Sequence, residues 1–522
     1  YKRQALLVLA GWSFRYVKNL YFPDFDYNQF VVEYWMPSQT NPEKVRHDLL
    51  EITDRLKEKY PQIQRITASQ GSAPARYCLV RPMTNGGDCY GELLVDCEDF
   101  NTCSEIIPSL RAFLRAEYPD AYIRTRRYNF SISTSHTVEV QFKGPDPAVL
   151  RRLSAEAEQI MREAKSVDPY SVQNNWKERN KSLVAYYQQM DGRRTGINRS
   201  DVGNALMAAT DGLTVGALHD KDKIVRINLQ IRNADGSKIQ DLNDVPVWTM
   251  MPNINLSDND MKALLSGGMK ASDVENELFK SSPLSNVTKD LDLAWEEGTV
   301  YRYDCMRAIE AECDPDYDNG SSPVKVQKEI QEKIESIPLP PGYSMRWMGE
   351  IKQQAESNEA SADYYPLTLI IVLTVLLLLF NDWRKVILIL ICLPFVIVGV
   401  APALIATGLP FTFMATIGMA GLMGMMIKNS IVLVDEINRL MTEEGLHPYH
   451  AIIQATVARA NPVIMASATT IVGMLPLVSD PMYGSMAVSI MAGLTMGTII
   501  TLMLLPVFYA IFFKVTKPQT EE

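Results

Sequence analysis

What most constrains this chain is where charge is missing. Val386 to Ile427 runs 42 residues without a charged side chain, and Tyr364 to Phe380, Ala460 to Ser479 and Pro481 to Phe513 are also uncharged. A bilayer core takes about 20 apolar residues per helix. Backbone polar groups at that depth must bond within the span, which selects helices. The pattern predicts five spans, at 364–380, 386–407, 412–436, 461–479 and 487–513. Thr407-Gly408-Leu409-Pro410 is the turn that divides the long run. Spans this close in sequence pack as a helical bundle. The mean hydropathy of −0.07 averages this half with residues 21–363, which are densely charged and rich in turn signals.

Basic residues in the short loops set the orientation. Arg384 and Lys385 follow the first span, Arg439 and Arg459 lie between the third and fourth, and Lys514 and Lys517 follow the fifth. These loops read as cytoplasmic, which places 21–363 on the opposite side, the periplasm in a bacterium. Cys78, Cys89, Cys97, Cys103, Cys305 and Cys313 lie in that exported part. An oxidising compartment predicts disulfides among them, with Cys305 and Cys313 the nearest local pair and the other pairings open. The net charge of −10 gives no reason to expect nucleic-acid binding. Ala5 to Gly11 is apolar but too short to span, and no secretory signal pattern precedes it. The expectation is that residues 1–21 end a helix and that the chain continues a longer one.

Lys428 is the mid-membrane charge of the third span. An ammonium at that depth costs roughly 2.5–3.5 kcal/mol on insertion scales. The residue is expected to face the bundle interior, paired with a carboxylate or reached by water, and to serve ion or proton movement. Gly418, Gly421 and Gly424 on the same span read as a small-residue packing face, and the methionines around them as packing filler.

The exported part repeats strand, capped helix, strand. Gln29 to Trp35 reads as a strand; Asn41-Pro42-Glu43 opens a helix with Val45, Leu49, Ile52 and Leu56 on one face; Ile63 to Ala68 returns as a strand. The pattern recurs with Glu92 to Val95, a helix at 102–117 capped by Asn101, and a strand at Ala121 to Arg127. It recurs again with Thr137 to Phe142, a helix opened by Asp146-Pro147, and a strand near Tyr170. The fold class predicted is a membrane α-helical bundle plus a large periplasmic α+β domain of ferredoxin-like, split βαβ subdomains. A turn-rich insertion at 182–275 interrupts them. The five histidines show no metal-ligand spacing with acids in the exported part, and no nucleophile motif appears, so no enzyme is predicted.

The stretch Gly421 to Asn438 (GLMGMMIKNSIVLVDEIN) resembles the tenth transmembrane helix of resistance–nodulation–division (RND) efflux pumps of the AcrB-like class. Arg459 to Leu477 (RANPVIMASATTIVGMLPL) resembles the eleventh, Leu505 to Tyr509 the end of the twelfth, and Phe22 to Phe30 the start of the first C-terminal porter subdomain. The resemblance runs the length of the chain in order. It implies the C-terminal half of a homotrimeric proton antiporter of the Gram-negative inner membrane. Its partners would be the N-terminal half, a periplasmic adaptor protein, an outer-membrane channel and membrane lipids. It would export small amphiphilic molecules on the proton gradient, with no cofactor and no metal. By the same resemblance, 22–133 is the first porter subdomain; 134–181 and 276–350 form the second; 182–275 docks the outer-membrane channel; and 514–522 is a cytoplasmic tail.

Carried over residue by residue, the resemblance places the proton relay at Lys428, Asn429 and Arg459, with Ser467 and Thr470 as the hydroxyls nearest the family position that holds Ala466 here. The lysine's carboxylate partners belong to the other half. The substrate pocket and switch-loop region falls on Glu33, Thr67, Ser72, Pro74 and Tyr77. Multidrug members carry phenylalanines where this chain has Thr67, Ser72 and Pro74, so an aromatic-poor pocket is expected, with weaker binding of flat apolar drugs. The alternative reading is a protein-export accessory of the same superfamily.

Overall fold

Local sequence sets the element ends in a computed structural model of the chain, which describes residues 13–75, 83–128, 135–221, 223–249, 258–267 and 281–516. The β-branched and aromatic residues of β1 (Gln29–Trp35) suit a buried pleated surface. Asn41 caps α1 (Pro42–Lys59) by accepting from the Glu43 N–H, and the apolar stripe of Val45, Leu49, Ile52 and Leu56 is the buried one. β2 (Ile63–Ser72), β3 (Asn85–Cys97), α2 (Phe100–Glu117) and β4 (Tyr122–Arg126) follow. The cap of α2 is Asp99, whose carboxylate accepts from the Thr102 N–H. Asn101, the cap predicted, lies inside the first turn, because Asp99 already holds the extended backbone that a cap needs.

These strands form one antiparallel sheet in the order β2–β3–β1–β4. Phe30, Val32, Tyr34, Leu93, Val95 and Ile123 of the sheet share a core with Leu49, Ile52, Leu56, Leu110 and Leu114 of the two helices. A second sheet is built from β5 (Val138–Gly144), β6 (Gln173–Asn174), β7 (Tyr301–Tyr303), β8 (Met306–Cys313) and β9 (Ser344–Met348), in the order β7–β8–β5–β9, with β6 also pairing with β8. α3 (Pro147–Glu163), capped by Asp146, and α4 (Pro323–Glu335), capped by Ser322, pack on it. Its core includes Phe142, Leu153, Met161, Trp176 and Ile330. The strand predicted near Tyr170 is the two-residue β6, three residues on; Tyr170 itself lies in a 3-10 turn over Pro169–Ser171 that Asp168 caps.

Residues 179–298 form a separate compact unit, wider at both ends than the 182–275 read from the sequence. Strands Arg179–Tyr187 and Thr288–Glu297 pair antiparallel at its base, and Leu213–Asp220 pairs with Lys223–Leu229 as a hairpin. A capping box between Asn198 and Asp201 starts the helix Arg199–Ala209. Its small core holds Ile197, Val202, Val245, Val247, Leu284 and Val287.

Among the described residues, five helical segments are long and apolar enough to cross a membrane. They are α5 (Gly349–Phe380), the pair α6 (Trp383–Cys392) and α7 (Ile397–Thr407), α8 (Phe413–Thr442), α9 (Pro448–Met474) with its 3-10 end at Ser479, and α10 (Gly484–Phe512). Pro394 accounts for the 3-10 stretch Leu393–Val396 that joins α6 to α7. α10 lies against α8 so closely that a Cβ on Gly493 would sit 2.1 Å from Leu422 Cδ2, and one on Gly497 2.1 Å from Met426 Sδ. Small residues permit this approach, and Met426 fills the gap as expected of a flexible side chain. The glycine face read on α8 is corrected: Gly418 packs on Met486, whereas Gly421 and Gly424 face open space.

The six described cysteines, Cys89, Cys97, Cys103, Cys305, Cys313 and Cys392, are free thiols, so Cys305 and Cys313 are not bonded. The strand β8 holds them apart: Cys305 precedes it, exposed at the β7–β8 turn, and Cys313 ends it, buried. Cys78 lies outside the described residues.

Candidate functional site

The relay residues predicted from the sequence fall on α8 and α9, and they do not all face the same way. Lys428 is exposed, on the open face of α8 that also carries Gly421 and Gly424. These five helices alone do not cover the ammonium. The helical period puts Lys428 one hundred degrees from Asn429, which is buried together with Ser430. No carboxylate among the described residues pairs with Lys428. Arg459 lies three turns into α9, half-buried. Its Nε donates to Glu436 Oε2 at 3.2 Å and its Nη2 bonds the same oxygen. Glu436 also accepts from Arg439 Nη2 at 2.8 Å. A buried carboxylate on α8 thus holds guanidinium groups from two helices. Ser467 faces inward and shares a hydrogen bond of 2.7 Å with Thr498 of α10, while Thr470 donates to the Ala466 carbonyl of its own helix. Glu436 and Thr498 were missed in the sequence. Glu436 is the last residue of the span read at 412–436, and Thr498 is one hydroxyl in a long apolar run.

A second constellation lies between the two α/β subdomains. Glu33 of β1 and Arg124 of β4 are directly opposed across the strands. Glu33 is 3% exposed; it accepts from Arg126 Nη1 at 3.0 Å and lies 3.8 Å from Arg124 Nη1. Arg124 Nη2 reaches Asp314, just past β8, at 2.8 Å. His136 Nδ1 lies 2.9 Å from Glu312 Oε2. Burial raises the Asp314 carboxyl, but Arg124, His136 and the hydrogen bonds from Thr137 outweigh it and hold it down at about 2. Burial and the nearby Glu312 push Glu139 up to about 8. Burial lowers Lys177, whose ammonium sits over the Trp35 ring, to about 8.

Glu139 yields a pH prediction. Its folded value lies above its ordinary one, so its contribution to stability is present below about pH 4.5 and is lost as the pH rises through about 8. Glu139→Gln should therefore gain thermal stability over wild type, increasingly so across that window. A pH-independent difference between the two melting curves would contradict the assignment.

The pocket residues separate. Glu33 lines a cavity of about 520 Å³ with Trp35, Tyr303, Glu139, Lys177 and Glu312. Thr67 and Pro74 line another, of about 800 Å³, on the face of the first sheet that α1 and α2 leave open. Ser72 ends β2, with its carbonyl accepting from Ser69 Oγ, and Tyr77 lies outside the described residues. The second cavity is not aromatic-poor: Tyr27 and Tyr128 stand in its wall, edge to face at 5.5 Å. These rings come from segments before β1 and after β4, which only the sheet order brings together. His47, Asp48 and Glu51 place ligand atoms within 4.8 Å of one another on α1, a grouping the sequence reading overlooked. Asp48 there already accepts from Tyr34 Oη at 2.7 Å.

Comparison with known proteins places these features. The chain is 24% identical to the cobalt-zinc-cadmium resistance protein CzcA of Cupriavidus metallidurans, over 88% of its own length and 42% of that protein's. It is 29% identical to the multidrug resistance protein MdtF of Escherichia coli K12, over 37% of this chain and 19% of that one. The structure of a heavy metal efflux pump superposes with a TM-score of 0.73 at 16% identity, covering 98% of this chain and 49% of that one, which shows a shared fold. The chain spans about half the length of these relatives or less. Residues 4–513 match the model of the AcrB/AcrD/AcrF family, and the chain belongs to that family, as a multi-pass protein of the bacterial inner membrane.

Proposed function

We propose that this chain forms the C-terminal half of an RND transporter that exports small amphiphilic molecules by proton antiport. The carrying observation is Lys428, an ammonium within the stretch Phe413 to Val434, which has no other charge. Its cost in lipid is sustained when a carboxylate on a neighbouring helix faces it, and protonation of that carboxylate breaks the pair. The open face of α8, with Gly421 and Gly424 beside Lys428, has room for such a helix. The sheet order β2–β3–β1–β4 supports reading the first subdomain as a ferredoxin-like porter unit. The 179–298 unit is read as the docking insertion, and a homotrimer with an adaptor and an outer-membrane channel as the working assembly.

Between amphiphiles and metal ions, we favour the former, and metal ions are the second reading. Met36 is packed in the first core, whereas Met83, Met348 and His136 line the cavity at Glu33. The cavity at Glu33 combines rings and charges, which suits a solute with an apolar body and a polar head. The test is transport by the full-length protein in liposomes under an imposed pH gradient, with a fluorescent cationic amphiphile as probe. Gradient-dependent movement is expected. Probe flux equal to that of protein-free liposomes sinks the reading, and gradient-dependent movement of zinc ions instead would reassign the substrate.

A further inference from the structure

Three arginines of the first subdomain reach three aspartates of the second. Arg111 and Arg115 of α2 meet Asp318 and Asp168 at 2.5 Å and 3.0 Å, and Arg124 of β4 meets Asp314 at 2.8 Å. The cations are all on one body and the anions all on the other. They ring a cavity of about 280 Å³ at the seam.

Arg124 differs from the other two. It has a second carboxylate, Glu33, on its own sheet, directly opposite in register and 3.8 Å away, shared with Arg126, and it also donates to the Ser135 carbonyl across the seam. Asp314 likewise has partners on its own body, accepting from Thr137 N and Thr137 Oγ1 at 3.0 Å each. If the subdomains part, neither group is stranded. A buried ion pair is costly to break when one partner is left without compensation, and here both partners have compensation. In this structure Arg124 is bonded to Asp314 and stands 3.8 Å from Glu33; a moving seam requires a second arrangement of similar energy.

We propose that Arg124 is a positioning residue that exchanges between Asp314 and Glu33, so that the seam between the two α/β subdomains closes on the first and opens on the second. The proposal rests on the transport reading only for its purpose, solute access to the cavities; the exchange itself is a property of the fold. The two carboxylates compete for one guanidinium. Removing Asp314 favours the open seam, and removing Glu33 favours the closed one. A merely structural ion pair has no such opposite signs.

The test is a distance measurement on the full-length assembled protein in lipid. Spin labels on unnatural amino acids at Glu117 of α2 and Lys328 of α4, both exposed, report the separation of the two bodies by pulsed electron resonance. Asp314→Asn should raise the long-distance population, roughly tenfold for the loss of one charge-assisted hydrogen bond. Glu33→Gln should lower it. If Asp314→Asn does not assemble, Asp318→Asn, at the seam's surface, should shift the population the same way by less. Shifts of the same sign for Asp314→Asn and Glu33→Gln, or no shift in either, overturn the proposal. Distances are read without substrate, so a seam that shifts as expected in a protein that moves no amphiphile refutes the transport reading and leaves the exchange standing.

Discussion

Replacing Lys428 by Ala in the full-length protein should abolish gradient-driven export while leaving folding and assembly intact. The argument is electrostatic. Lys428 is the mid-span charge of α8 and stands exposed on a face that these helices leave open. Under the antiport reading, a carboxylate facing it stays ionised because the ammonium is near. Without the ammonium, desolvation raises that carboxylate's proton affinity. It then stays protonated through the cycle, and the alternation that drives movement stops. The fold survives because a neutral carboxyl avoids most of the penalty, about 3–5 kcal/mol, of a buried pair broken to leave a charge. The measurement is amphiphile flux under a pH gradient beside size-exclusion of the detergent-solubilised protein. Wild-type flux in a normally assembled variant would show that protons travel elsewhere.

The second large effect is expected at Glu436. This residue is 5% exposed and ties Arg439 of its own helix to Arg459 of α9. Glu436→Ala strips Arg459 of its carboxylate and leaves Arg439 only Glu444, at 3.1 Å, and Glu443, at 3.7 Å. Removing one partner of a buried pair costs about 3–5 kcal/mol. Both arginines are partly exposed, with 41% and 37% of their side chains accessible, so the expected loss falls below that range. It should appear as a lowered thermal midpoint of the full-length protein in detergent. The double variant Glu436→Ala, Arg459→Ala should lose less than the sum of the two single variants, because the second change removes a charge already stranded. Strict additivity would show that the contact carries no energy.

The helices of the membrane half were legible in the residue order. A lipid core admits one local solution, so an uncharged run of sufficient length is nearly the whole argument, and five such segments are present. Side-chain direction was not legible. Whether Lys428 is enclosed depends on which helices lie on its side of α8, and α8 packs on α10 through Gly418, Leu422 and Met426 and on α9 through Glu436, all away from Lys428. The capped helices were readable because a cap is a contact between residues two or three apart, as at Asn41 and Asp146.

The charged seam was invisible for the opposite reason. Arg124 and Asp314 are 190 residues apart, and neither stands in a recognisable motif. A β-strand shows its alternation but not its neighbour, so Glu33 meets Arg124 only because β1 lies between β3 and β4. The same holds for the Tyr27 and Tyr128 rings at the open sheet face. Span number and the resemblance of α8 and α9 to a transporter's helices were therefore settled by local order and solvent, whereas α5 and α9 begin at Gly349 and Pro448, well before the uncharged runs that marked them. Pairing of strands across long loops, and with it every ion pair between the two subdomains, was settled by tertiary structure, because those contacts gain their energy only once distant segments are desolvated together.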